Sequence, residues 1–179
     1  MTDKNIRFLT GTALMTAALC VLGPMSLPIG PVPITLTNLT IYFFLYILGT
    51  KQSAAAYLVY LLVGMAGLPV FSGYSGGLQK LAGPTGGYLI GFIPMILMAG
   101  PVVERMWQNR VVCIAAMELS VWVAYLFGTA WLAVSLQRTF GEALAMGVIP
   151  FLLVDFLKIA AAAVVGPELK YRLQRAGVV

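Results

Sequence analysis

A chain of 179 residues that is 60% apolar and 9% charged, with mean hydropathy +0.94, has too few charges to coat a water-soluble body of its size. That balance, with no histidine anywhere, excludes a soluble enzyme, a nucleic-acid binder, a disordered tail and any site built on imidazole. The net charge of +5 fits a polytopic membrane protein whose Lys and Arg collect on the cytoplasmic side.

Six apolar stretches follow one another with short breaks, at 8–23, 34–49, 53–68, 87–103, 111–136 and 147–165. Several approach the ~20 residues that a helix needs to cross a ~30 Å hydrocarbon core, and others run shorter. The first is expected to stay as a span, since no A-x-A-type cleavage site leads into a soluble portion. The pattern predicts an all-α integral membrane protein, a single domain over 1–179 with six transmembrane helices and no linker. Placing both termini in the cytoplasm puts Lys4, Arg7, Lys51, Arg105, Arg110, Lys170, Arg172 and Arg175 on the inner face. Only Lys80 and Arg138 are left outside, an asymmetry that supports this orientation.

Two outer loops differ from the rest. Between the first two stretches, Pro24, Pro28, Pro31 and Pro33 enforce a rigid, extended backbone with few N–H donors. Between the third and fourth, residues 67–91 hold eight of the 19 glycines, which implies tight turns or close backbone approach. Leu68, Val70, Phe71, Tyr74, Leu78 and Leu81 make that loop too apolar for a solvated string and suit a folded lid.

Ionisable residues inside spans are few. Asp155 and Lys158 in VDFLKIAAAA are three apart and share a helix face. Counted from Gly147 they sit roughly 12–17 Å along a helix, below the outer surface. A lone charge near the bilayer centre costs roughly 3 kcal/mol, so the two either neutralise each other or form a polar site for a small solute with both donors and acceptors. Asn38, with Thr35, Thr37 and Thr40, adds polar groups near the outer end of the second span, the threonines as interhelical glue. Glu118 reads as a protonated, snorkelling or partner-contacting carboxylate, and Trp122, Tyr125 and Thr129 continue its stripe toward the bundle, with Tyr125 and Trp131 nearest an outward pocket. On the first span, Ala13 and Ala17 stand one turn apart, a spacing that lets another helix approach closely. Cys20 and Cys113 lie in separate apolar runs with no metal-binding spacing. No phosphate-binding G-x-x-x-x-G-K-[ST] loop and no nucleophile with its base are present, so neither a catalytic site, a metal nor a cofactor is expected.

GPVPITLTNL at 30–39, GLPVFSGYSGG at 67–77 and GPTGGYLIGF at 83–92 resemble the BioY proteins, the biotin-binding S components of energy-coupling factor (ECF) vitamin transporters. The likeness is collinear over nearly the whole chain. It departs at Thr37, where many of those proteins carry Gln, and at Leu153-Val154, where they often carry Pro-Gly, while the Asp-x-x-Lys pair is kept. The resemblance implies a six-helix bundle in the bacterial cytoplasmic membrane that captures biotin from outside. It also implies coupling to an ECF transmembrane protein and two ATPase subunits. The alternative is a solitary or oligomeric biotin carrier that works without the ATPase module; a membrane enzyme or assembly factor is disfavoured by the missing catalytic groups. On this reading Asp155 accepts a ureido N–H of biotin, and Lys158 and Asn38 donate to it. Tyr88, Tyr125 and Phe71 supply walls, Lys80 or Arg138 meets the carboxylate, and Ala13 and Ala17 dock the transmembrane partner.

Overall fold

Proline and glycine mark several of the helix ends and breaks, although Pro94 and Pro101 lie within the helix Gly86–Met106 and Pro167 within the helix Leu152–Arg175. A computed structural model describes residues 3–176. Helix α1 (Asp3–Leu22) stops at Gly23-Pro24. Strands β1 (Ser26–Leu27) and β2 (Ile34–Thr35) then pair antiparallel, forming a small hairpin whose tip holds Pro28 and Pro31. Helix α2 (Thr37–Met65) is broken at Gly49, whose φ of +75° and ψ of −176° leave the helical region altogether. The break reverses the chain. Asn38 and Tyr60 would be about 33 Å apart on an unbroken helix, yet they line one cavity. The arms 37–48 and 50–65 therefore supply the second and third apolar stretches as a helical hairpin.

Helix α3 (Leu78–Ala82) is a single turn in the glycine-rich loop. Helices α4 (Gly86–Met106) and α5 (Arg110–Leu136) pack closely because small residues face each other. A Cβ at Gly91 would come within 3.0 Å of the Ala124 Cα, and at Gly128 it would strike the Tyr88 ring. The Asn109 side chain accepts from the Val112 N–H and caps α5. Helix α6 (Phe140–Gly147) opens with a capping box of Thr139 and Glu142. A 3₁₀ turn over Ile149–Phe151 separates it from α7 (Leu152–Arg175). The sixth apolar stretch, expected as one helix from 147, is thus interrupted at Pro150, whose ring and missing N–H break the ladder.

Among the described residues, four helical segments are long and apolar enough to cross a membrane: Asn5–Leu22, Gly86–Met106, Arg110–Leu136 and Phe140–Arg175. Outward-facing Leu14, Val21, Leu119, Leu126, Leu153 and Leu157 are exposed on them, as a lipid-facing surface requires. This is a multi-pass membrane protein.

The two ends of the bundle differ. At one end, Gln52 reaches the Phe8 carbonyl (3.1 Å), Thr50 bonds Glu104, and Lys170 lies over the Trp107 ring at 5.4 Å. The start of α1, the α2 reversal, the α4–α5 connection and the end of α7 meet there, bringing Arg7, Lys51, Arg105, Arg110, Lys170, Arg172 and Arg175 together. Nothing is described of the Lys4 side chain. The opposite end carries the loops, with Lys80 and Arg138.

Candidate ligand-binding site

The loop end holds a cavity that opens at its mouth, with about 640 Å³ of empty space counting the open solvent there. Every long segment except α1 contributes. Val32 and Pro33 come from the proline-rich hairpin, Asn38 and Tyr60 from the two arms of α2, and Ser72 from the glycine-rich loop. Tyr88, Leu89 and Phe92 come from α4, Val121, Ala124 and Tyr125 from α5, and Phe151, Asp155 and Lys158 from the α7 end.

Its polar centre is a closed network. Asp155 Oδ1 accepts from Asn38 Nδ2 (2.8 Å) and Lys158 Nζ (2.9 Å), and Oδ2 accepts from the Tyr125 hydroxyl (2.7 Å). Lys158 also donates to the Thr35 carbonyl (2.8 Å) and to Asn38 Oδ1 (3.0 Å). Asp155, Asn38 and Lys158 are only 5, 4 and 9% exposed. Such a buried ion pair survives desolvation only when its remaining protons and lone pairs are used. Here the ammonium directs all three of its protons to protein acceptors. What stays free for a ligand is one Asn38 amide proton, a lone pair on Asp155 Oδ2 and those of the Tyr125 oxygen.

Local folding explains the placement. Because α7 starts at Leu152, Asp155 stands in its first turn, where the helix dipole favours a carboxylate. The pair is buried because β2, α2 and α5 close around it through Thr35, Asn38 and Tyr125, not because a helix runs on from Gly147. Lys158 follows one turn later and reaches across to β2 and α2.

Of the residues singled out in the sequence, Asp155, Lys158, Asn38, Tyr88 and Tyr125 meet at the cavity. Tyr88 is a wall whose hydroxyl is already engaged, donating to the Gly147 carbonyl at 2.9 Å. Phe71 is not a lining residue. It is fully buried, edge-on to Tyr60 at a centroid distance of 5.5 Å, filling the gap left by Gly64. Lys80 does not line the cavity either: it is half-buried on α3, and that burial lowers its pKa from the ordinary lysine value. Arg138 lies exposed, 3.8 Å from Glu142. Trp131 donates to the Gly83 carbonyl at 3.0 Å and ties α5 to the loop. Trp122 is 47% exposed, so the stripe from Glu118 splits, with only Tyr125 and Thr129 buried. One buried oxygen of Glu118 has no partner. Ala13 and Ala17 are exposed, because Met15, Thr16 and Leu19 form the face of α1 that packs inward.

Sequence reasoning missed Tyr60, Phe92, Phe151 and the Thr35 carbonyl. Tyr60 enters only through the reversal at Gly49, which no hydropathy pattern announces. The glycine-rich loop is folded as expected. Phe71 and Ser75 bridge each other, Tyr60 holds the Val70 carbonyl (2.9 Å), and the Gly73 N–H bonds the Pro24 carbonyl (3.1 Å). Among the described residues no group of three Cys, Asp or Glu could hold a metal.

Comparison with known proteins gives a consistent picture. The chain is 34% identical to the "Biotin transporter BioY" of Thermotoga maritima, over 92% of this chain and 96% of that protein. It is 37% identical to the protein of the same name from Rhizobium etli, over 90% and 92%. The fold matches the crystal structure of the S-component for biotin from an ECF-type ABC transporter, with TM-score 0.86, 28% identity and coverage of 96% of this chain and 95% of that one. The sequence pattern of the BioY family matches residues 1–175, and the chain belongs to that family.

Proposed function

We propose that this protein is a transporter component and not an enzyme, and that it takes up biotin as the substrate-binding subunit of an ECF-type transporter in the bacterial cytoplasmic membrane. It does so as one domain of six membrane-crossing helices, the two arms of α2 included, with both termini cytoplasmic. The observation that carries the reading is the Asp155–Lys158–Asn38–Tyr125 network at the wall of an aromatic cavity. Biotin's ureido ring offers two N–H donors beside one carbonyl. One N–H meets the free lone pair of Asp155 Oδ2. The carbonyl takes the spare Asn38 proton, and Lys158 joins by exchanging one protein acceptor for it. Tyr88, Tyr60 and Phe92 enclose the apolar sulfur ring, and the aliphatic tail with its carboxylate points to the mouth.

The relatives named as biotin transporters and the biotin S-component fold support the substrate. The exposed small-residue face of α1 supports a helical docking partner, with a transmembrane protein and two ATPases supplying energy. Native mass spectrometry of the purified protein tests this directly. Bound biotin at one per chain is expected, together with uptake in cells that requires the ATPase module. A protein that neither retains nor binds biotin overturns the substrate, and full uptake without the module overturns the partnership.

A further inference from the structure

The α2 reversal is held from outside itself. Gly49 occupies a region of φ/ψ that side chains rarely adopt, and a Cβ there would lie 3.0 Å from the Glu104 carboxyl carbon. Thr50 opens the second arm, so its N–H lacks the helical acceptor that a continuous helix would provide. Glu104, from α4, fills that role: its Oε2 accepts from the Thr50 N–H (3.1 Å) and from the Thr50 hydroxyl (2.9 Å). A carboxylate at this point also faces the positive end of the arm's dipole. One turn earlier on α4, a Cβ at Gly100 would lie 2.6 Å from Thr50 Oγ1, so only glycine lets the turn seat this closely. Gly100 and Glu104 thus form a socket on α4 for Gly49-Thr50.

Both arms are pinned to the same helix further along. The Tyr42 hydroxyl meets the Met95 sulfur at 3.6 Å, and the Tyr57 hydroxyl donates to the Leu89 carbonyl at 2.7 Å. Beyond those pins the first arm carries Asn38 and the second carries Tyr60 into the cavity. A hinge of glycine alone would leave the angle between them soft. A change of about 5° over an ~18 Å arm displaces its end by about 1.6 Å, enough to break the bonds of Asn38 to Asp155 and Lys158.

We propose that Glu104 is a positioning residue for the cavity at the far end of the bundle: by clamping the Gly49-Thr50 reversal onto α4 it sets the separation of the two arms that present Asn38 and Tyr60. With biotin as the measured ligand, the inference rests on the reading above. The test uses the full chain in lipid nanodiscs, comparing Glu104→Ala, Glu104→Gln and Thr50→Val by biotin calorimetry and by hydrogen exchange over 50–53 and 36–40. Glu104→Ala should lose protection in both segments and bind biotin about tenfold more weakly. Glu104→Gln should restore both, because a single amide oxygen can accept both Thr50 bonds. Thr50→Val, which keeps one of the two bonds, should give a smaller loss and add nothing to Glu104→Ala. Lost protection with unchanged affinity overturns the proposal, and so does a Gln variant as impaired as the Ala variant. Should Glu104→Ala not fold, the Gln and Val variants decide by the same criteria. A wild-type protein that ignores biotin refutes the substrate, and exchange at 36–40 then judges the clamp alone.

Discussion

Asp155 accepts three hydrogen bonds and Lys158 gives three, so neither charge can be removed without stranding the other. Asp155→Asn and Lys158→Met should each weaken biotin binding by about 1.5–3 kcal/mol, the usual worth of a hydrogen bond to a charged group. Tyr125→Phe removes the 2.7 Å bond to Oδ2 and should cost about the same. Calorimetry measures this, with size-exclusion chromatography showing that each variant remains folded. A double Asp155→Asn, Lys158→Met variant with native affinity would reduce the pair to a self-neutralising ion pair. The pair was readable in the sequence because charges are rare in apolar runs and three-residue spacing fixes their face. Tyr60 was not readable, since an aromatic in a membrane helix is ordinary until a reversal brings it opposite Asn38.

At the level of elements, contact between α4 and α5 depends on absent side chains. Gly128 leaves room for the Tyr88 ring, and Gly147 leaves room for its hydroxyl. Gly128→Ala forces that ring aside, and overpacking of this kind should lower stability by about 1–3 kcal/mol, seen as a reduced thermal midpoint in detergent. Biotin affinity should fall with it, because Tyr88 lines the cavity. The loops respond in another way. The 70–87 segment is stitched to Pro24, Gly64 and Tyr60, yet the chain turns on Gly67 just before it and on Gly77 within it, with φ of +103° and +88°. Hydrogen exchange there should slow when biotin is added, and no protection at saturation would count against closure over the ligand. Hydropathy located the apolar runs well because burial in lipid leaves a composition signature. It missed α3, α6 and the break at Pro150, which follow local signals such as the Thr139–Glu142 capping box and the proline rather than a long apolar run.

For the whole molecule, the segregation of seven described basic residues at the end opposite the cavity sets the expected orientation. In a background lacking Cys20 and Cys113, cysteines placed at Gln108 and Leu78 should label from opposite sides of the membrane. Labelling from one side would overturn the topology. Docking is tested on α1. Ala13→Trp and Ala17→Trp should leave biotin binding intact, since both positions face outward. They should abolish uptake wherever the ATPase module is required, because an indole holds the partner helix away. Loss of binding as well would assign these alanines to internal packing.

The reversal at Gly49 also bears on the surrounding lipid. At 1.5 Å per residue the arms 37–48 and 50–65 are roughly 18 and 24 Å long, well short of a hydrocarbon layer of ~30 Å. As membrane-crossing arms they are expected to be accommodated by the hairpin and loops sinking to membrane depth and by the bilayer thinning beside α2. Acyl-chain length then becomes a variable of transport. Across a series of nanodiscs, thermal stability should peak in lipids with short chains and decline as the chains lengthen, with the shorter first arm, and therefore Asn38, the first to lose its place.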